Sequence, residues 1–147
     1  KDLETINDIY QWLDETFLKI NRINLKLKFH QSLAIHKFQS NIEEMTHCLA
    51  YRPRTGKTII MLMMALYLLD KGYKRVLIMT SVPETIKSFI CELNKYYEFE
   101  NIKYKKQSEF HDVNEDFEGI VFCSVQYIKT EYIKKKDNLL MFLLLEI

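Results

Sequence analysis

The residue types best suited to chemistry are concentrated at positions 52–58, where Arg52, Arg54, Thr55, Gly56, Lys57 and Thr58 sit between two apolar runs. A polyphosphate carries several negative charges, and a helix N-terminus answers them with unpaired N–H groups and the positive end of its dipole. Gly56 lacks the side chain that would block close approach of the backbone to a β-phosphate. Lys57 brings a mobile point charge to the β- and γ-phosphates, and the Thr58 hydroxyl is placed to ligate a bridging Mg2+. The chemistry on offer is capture of a nucleoside triphosphate together with its metal.

Such a loop has to be held between a strand and a helix. The short apolar run beginning at Thr46 is expected to be the strand, and 59–69, apolar on nearly every side, a helix lying deep between a sheet and other elements. Gly72, following Asp70 and Lys71, is a suitable helix stop. The loop departs from the usual G-x-x-x-x-G-K-[ST] pattern. Tyr51 stands at the first glycine, Arg54 where many relatives carry another, and Pro53 has no N–H to offer. A bare Gly-Lys-Thr also arises as an ordinary surface turn; the flanking runs are what favour the phosphate loop.

Upstream, Ile6, Ile9, Tyr10, Leu13, Phe17 and Ile20 recur at three- and four-residue steps, which predicts an amphipathic helix that packs or spaces. Trp12 beside that stripe reads as packing, with stacking on a base or partner as the alternative. Gln31 precedes a helix expected over 32–42. Its carboxamide, donor and acceptor together, suits the edge of adenine, which makes ATP the expected nucleotide; by itself it would read as a solvated glutamine at a helix start.

Downstream, 75–80 predicts a second buried parallel strand, and Pro83 with Glu84 starts a helix reaching toward Tyr97. Ligands of open parallel sheets gather beyond the C-terminal strand ends. Thr80 and Ser81 therefore suit either a nucleic-acid phosphate or a helix cap. A short strand is expected over 101–107, where Lys103, Lys105 and Lys106 form a basic face or are simply solvated. An acidic loop at 111–118 leads to a buried strand over 119–123, with Ser124 and Gln126 at its end. A final strand is expected over 139–145, before Glu146 and Ile147. Strands alternating with helices give an α/β doubly wound, mostly parallel sheet flanked by helices.

A chain of 147 residues that is 48% apolar suffices for one packed core and is too short for two ordinary domains. It begins with Lys1 and stops at Ile147 within an apolar run, and so reads as a piece of a longer protein. A net charge of +1 leaves nucleic-acid binding to local patches. Cys48, Cys91 and Cys123 are too far apart for a zinc cluster and have apolar neighbours, so three buried, reduced thiols are expected. No apolar run is long enough to cross a bilayer and no cleavable signal is visible, hence no membrane and an intracellular setting: cytoplasm, nucleus or a viral factory. Heavy use of Ile, Lys, Asn and Tyr suggests an AT-rich genome, such as that of a large DNA virus or a low-GC bacterium.

From Phe29 onward the order of features resembles the first motor domain of superfamily 2 helicases and translocases, a RecA-like P-loop NTPase fold. Phe29-His30-Gln31 resembles the adenine-reading element of that family and Arg54-Thr55-Gly56-Lys57-Thr58 resembles motif I. Residues 76–83 look like motif Ia, which in the family touches one nucleic-acid strand, and 121–127 like the strand and Thr-x-Gln element before motif II. The resemblance implies residues 1–24 as a helical extension and 25–147 as a RecA-like domain truncated near motif II. Glu146 would take the glutamate place of motif II as water activator, while Leu145 stands where aspartate belongs.

The resemblance further implies an ATP-binding motor acting on nucleic acid, DNA or RNA, with DNA the first expectation. ATP and Mg2+ would lie between Gln31 and the loop Arg52 to Thr58, and a second RecA-like domain of the same chain would close the cleft. The isolated piece would bind nucleotide weakly and would not unwind anything. Two rivals remain. One is the motor of a restriction enzyme or terminase; the other is a non-catalytic nucleic-acid-binding or scaffold domain with a decayed loop, motivated by Tyr51, Arg54 and Leu145.

Overall fold

The structure, a computed structural model, describes residues 6–44, 46–112 and 116–135. In chain order the elements are α1 (Ile6–Ile20), α2 (Phe29–Ser40), α3 (Lys57–Asp70), β1 (Arg75–Thr80), α4 (Pro83–Lys95), β2 (Tyr104–Lys106), β3 (Gly119–Ser124) and α5 (Val125–Lys135). Short 3-10 turns at Tyr97–Phe99 and Gln107–Asp112 complete the described chain. The fold is mixed α/β, with a three-stranded parallel sheet flanked by helices. The strand order is β1-β3-β2, and Arg75 to Thr80 run in register with Gly119 to Ser124. The expected strand at 139–145 and the residues Leu145 and Glu146 lie outside the described residues.

The core forms because the apolar residues of several elements meet on one sheet face. Ile78 of β1 and Ile120 and Phe122 of β3 meet Ile59, Leu62 and Ala65 of α3 and Ile86, Phe89, Ile90 and Leu93 of α4. Alternation along β3 turns Val121 and Cys123 to the other face, and all six β3 residues are buried, as a central parallel strand requires. On that other face Met79 of β1 stays 43% exposed, so among the described residues the two faces are not equally covered. The α3 helix ends as its sequence predicts. Gly72 takes φ 98°, its N–H bonds to Leu69 O, and Tyr73 N–H reaches back to Leu68 O, a Schellman stop that needs a residue tolerant of the left-handed region.

Three expectations are corrected. First, 46–50 forms no strand among the described residues. Thr46, His47, Cys48 and Ala50 are exposed and no ladder reaches them, whereas a parallel strand needs a neighbour and covered faces. Side chains fix the segment instead: Leu49 and Tyr51 pack on Ala34, Ile35 and Ile60, and Phe38 meets His47 edge-on at 4.9 Å.

Second, α1 is a helix, but its apolar stripe is not the face that packs. Tyr10, Leu13, Phe17 and Ile20 are 47–75% exposed and Trp12 53%, so Trp12 is not a packing residue among the described elements. The helix is tied down by polar groups. Glu15 pairs with Lys106 at 3.1 Å, and Ile23, just beyond the helix, exchanges backbone bonds with Lys95 and Tyr97. Third, α3 is not enclosed on every side: Met61 is 37% exposed, and burial is confined to Ile59, Leu62 and Ala65 toward the sheet and Ile60 toward α2.

The cysteines also depart from expectation. Cys123 is buried, but Cys48 lies on the exposed 46–50 segment and Cys91 on the outer face of α4, both exposed. Burial pushes the Cys123 thiol up to about 11, far from its reactive thiolate form. A thiol-reactive disulfide reagent at pH 8 should therefore modify two groups in the folded chain and the third only after urea is added. Three fast groups without denaturant would contradict this packing of β3.

Candidate phosphate-binding site

The local sequence explains why a loop and a helix start meet at residues 51–58. Pro53 breaks regular structure, Arg54 takes the left-handed region at φ 63° and Gly56 takes it at φ 79°, so the chain reverses into α3 at Lys57. The arginine bears roughly 1–2 kcal/mol of strain there, and the glycine almost none. A Cβ on Gly56 would fall 2.3 Å from Gln31 Nε2, so a side chain there would push the carboxamide off its bond to Gly56 O as well as strain the backbone.

The first intrahelical bond of α3 runs from Ile60 N to Gly56 O at 3.3 Å. The N–H groups of Lys57, Thr58 and Ile59 thus have no acceptor within the helix, and no side chain caps it. An anion is what such an end favours. Lys57 does not extend into solvent; its Nζ donates to the Tyr51 carbonyl at 3.2 Å, which holds the ammonium over the mouth of the loop. Thr58 is half-buried at the second helical position. Thr55 Oγ1 donates to Arg52 O at 2.8 Å and closes the turn, while Arg52 and Arg54 are exposed.

The α2 helix forms the wall of the site. It begins at Phe29, three residues earlier than expected, which puts Gln31 inside its first turn. Gln31 is buried. Its Oε1 accepts from Lys28 N at 2.8 Å and its Nε2 donates to Gly56 O at 3.3 Å. A carboxamide has two donors and two lone pairs, so one N–H and one lone pair remain for a base edge. Two neighbours, His30 of the Phe29-His30-Gln31 element and Tyr51 at the first-glycine position, complete the wall. His30 Nε2 meets the Thr55 carbonyl at 2.8 Å, and the Tyr51 hydroxyl donates to His30 O at 3.1 Å. Tyr51 stood out in the sequence only as a missing glycine; its hydroxyl is what the alternative residue adds.

The second group of candidates lies at the C-terminal sheet edge. The register places Thr80 opposite Ser124, so Thr80, Ser81, Ser124 and Gln126 share that edge. The two hydroxyls facing the interior are already used. Thr80 Oγ1 donates to Val82 O at 2.9 Å. Ser124 is fully buried, donating from Oγ to Gln107 Oε1 at 2.8 Å and accepting from Tyr127 N at 3.1 Å, which caps α5. Ser81 and Gln126 are exposed and remain available to a ligand. Neither Thr80 nor Ser81 caps α4, whose N-cap is Val82 with Pro83 next.

The loop lies toward this same edge. The 14-residue α3, about 21 Å long, turns back through Lys71 to Lys74 into the N-terminal end of β1 and packs along that strand, which brings its own N-terminus toward the C-terminal strand ends. Among the described residues no three Asp, Glu, His or Cys side chains converge on a point suited to a metal. No described helix is long and apolar enough to cross a membrane. Comparison with family models, with curated proteins and with solved structures finds no match to this chain.

Proposed function

We propose that this chain is the ATP-binding part of a RecA-like motor domain belonging to an ATP-dependent helicase or translocase. The observation that carries the reading is the loop itself: a left-handed glycine opening a helix with unpaired amides, a lysine folded across its mouth, and a glutamine wall with bonding capacity to spare. ATP would place its phosphates on the amides of Gly56 to Ile59 and its base against Gln31. The Lys57 ammonium would exchange the Tyr51 carbonyl for phosphate oxygens, a stronger partner because both groups are then charged. Mg2+ would take the Thr58 hydroxyl and phosphate oxygens and would neutralise charge during phosphoryl transfer.

The exposed Ser81 and Gln126, at the strand ends toward which the loop lies, are suited to touch the backbone of DNA or RNA, which would link nucleotide state and grip. Hydrolysis and stepping would need a second motor domain. In a protein carrying both domains, single-stranded or duplex nucleic acid should raise ATP turnover by at least tenfold. ATP turnover indifferent to both DNA and RNA would reject the motor reading and leave only a nucleotide-binding domain.

A further inference from the structure

We propose that His30 is a positioning residue of the phosphate loop, holding the Gly56 amide toward a bound polyphosphate; the inference rests on the phosphate-binding reading above. A trans peptide is planar, with its C=O and N–H on opposite sides. The His30 ring nitrogen Nε2 lies 2.8 Å from the Thr55 carbonyl oxygen, and since a carbonyl only accepts, Nε2 carries the proton and donates. That bond turns the peptide between Thr55 and Gly56 so that its oxygen faces α2 and the Gly56 N–H faces away from it. Gln31 treats the next peptide in the same way through Gly56 O, which turns the Lys57 N–H outward.

The histidine is itself held. It sits in the first turn of α2, its carbonyl accepts the Tyr51 hydroxyl, and the imidazole and phenol rings are tilted against each other at 5.7 Å. The Tyr51 carbonyl in turn takes Lys57 Nζ. The bonds therefore form a closed ring through His30, Thr55, Lys57 and Tyr51. Its purpose follows from the residues of the loop. Glycine accepts either peptide orientation at little cost, so nothing within Gly56 prevents a flip that would present a carbonyl to the phosphates. The restraint comes from α2, and the tyrosine that replaces the usual first glycine is the piece that completes it.

The test uses inorganic tripolyphosphate with Mg2+, which has no base to recognise, titrated into the isotopically labelled chain while the Gly56 and Lys57 amide resonances are followed. The native chain should show saturable shifts at both. His30→Phe keeps the ring and loses the donor; its affinity should fall roughly tenfold, with the Gly56 amide already displaced before ligand is added. His30→Gln places an amide nitrogen where Nε2 was, and should recover affinity to within about twofold of the native chain. Urea unfolding of each variant runs alongside, and if His30→Phe does not fold, His30→Gln decides by itself. Native affinity in folded His30→Phe, or no recovery in folded His30→Gln, overturns the positioning role alone. No saturable shift in the native chain overturns the phosphate-binding reading and this inference with it.

Discussion

Replacing Lys57 with alanine should weaken binding of a magnesium nucleotide on the order of a hundredfold and leave the unfolding midpoint nearly unchanged. The asymmetry follows from where the ammonium sits. In the resting chain Nζ donates to a single carbonyl, that of Tyr51, at 3.2 Å; although the donor is charged, solvent at this half-exposed position screens the bond to about 1 kcal/mol. The same ammonium stands at the positive end of α3, where a cation is mildly unfavourable, so removing it returns part of that loss. Against phosphate the balance changes. A hydrogen bond to a charged group contributes roughly 1.5–3 kcal/mol, and 1.4 kcal/mol corresponds to about tenfold in affinity. Equilibrium titration and urea unfolding on the same two proteins check both halves. Unchanged affinity would reject the assignment of Lys57, and a large drop in stability would make it a structural lysine.

The largest expected effect on stability is at Phe122. It is completely buried in the central strand β3, between Phe89 at 5.7 Å and Tyr104 at 6.1 Å, and belongs to the cluster that joins the sheet to α3 and α4. Phe122→Ala should cost about 3–5 kcal/mol, because the neighbours come from different elements and cannot collapse into the space together. A domain of this size has only about 5–15 kcal/mol of stability, so a substantial share of it would be lost. Circular dichroism during urea unfolding measures the change; a cost under about 1 kcal/mol would mean that β3 is not the centre of the core.

The parts of this fold that were legible in the sequence are those set by local chemistry. The α3 helix follows from the apolar run after Lys57 and from the stop at Gly72, and β1 and β3 from short apolar, β-branched runs bounded by turn residues. What was not legible depends on partners far away in the chain. Residues 46–50 have strand-like composition, but composition does not supply a neighbouring strand. The stripe on α1 gave the helix correctly and its docking face wrongly, because Lys106, 91 residues away, holds Glu15 on the opposite side. Apolar neighbours suggest burial for Cys48 and Cys91, yet α4 turns Cys91 to a different face from Phe89 and Ile90, and Cys48 lies on a segment that no strand covers.

The site divides in the same way. Gly56, Lys57 and Thr58 announce their chemistry by type and order, whereas the His30 bond to the loop spans 25 residues and leaves no local trace. Gln31 was recognised by its position ahead of the loop, but the early start of α2, which commits half of its bonding capacity to Lys28 and Gly56, was not.

The central claim is that residues 51–58 are shaped to receive a polyphosphate at the foot of α3. Equilibrium titration of the chain with a fluorescent ATP analogue, in the presence and absence of Mg2+ and with inorganic tripolyphosphate as competitor, tests it most directly. Weak but saturable binding is expected, loosened when the metal is removed and displaced by tripolyphosphate. A signal that rises without saturating, and that tripolyphosphate does not reverse, would contradict it.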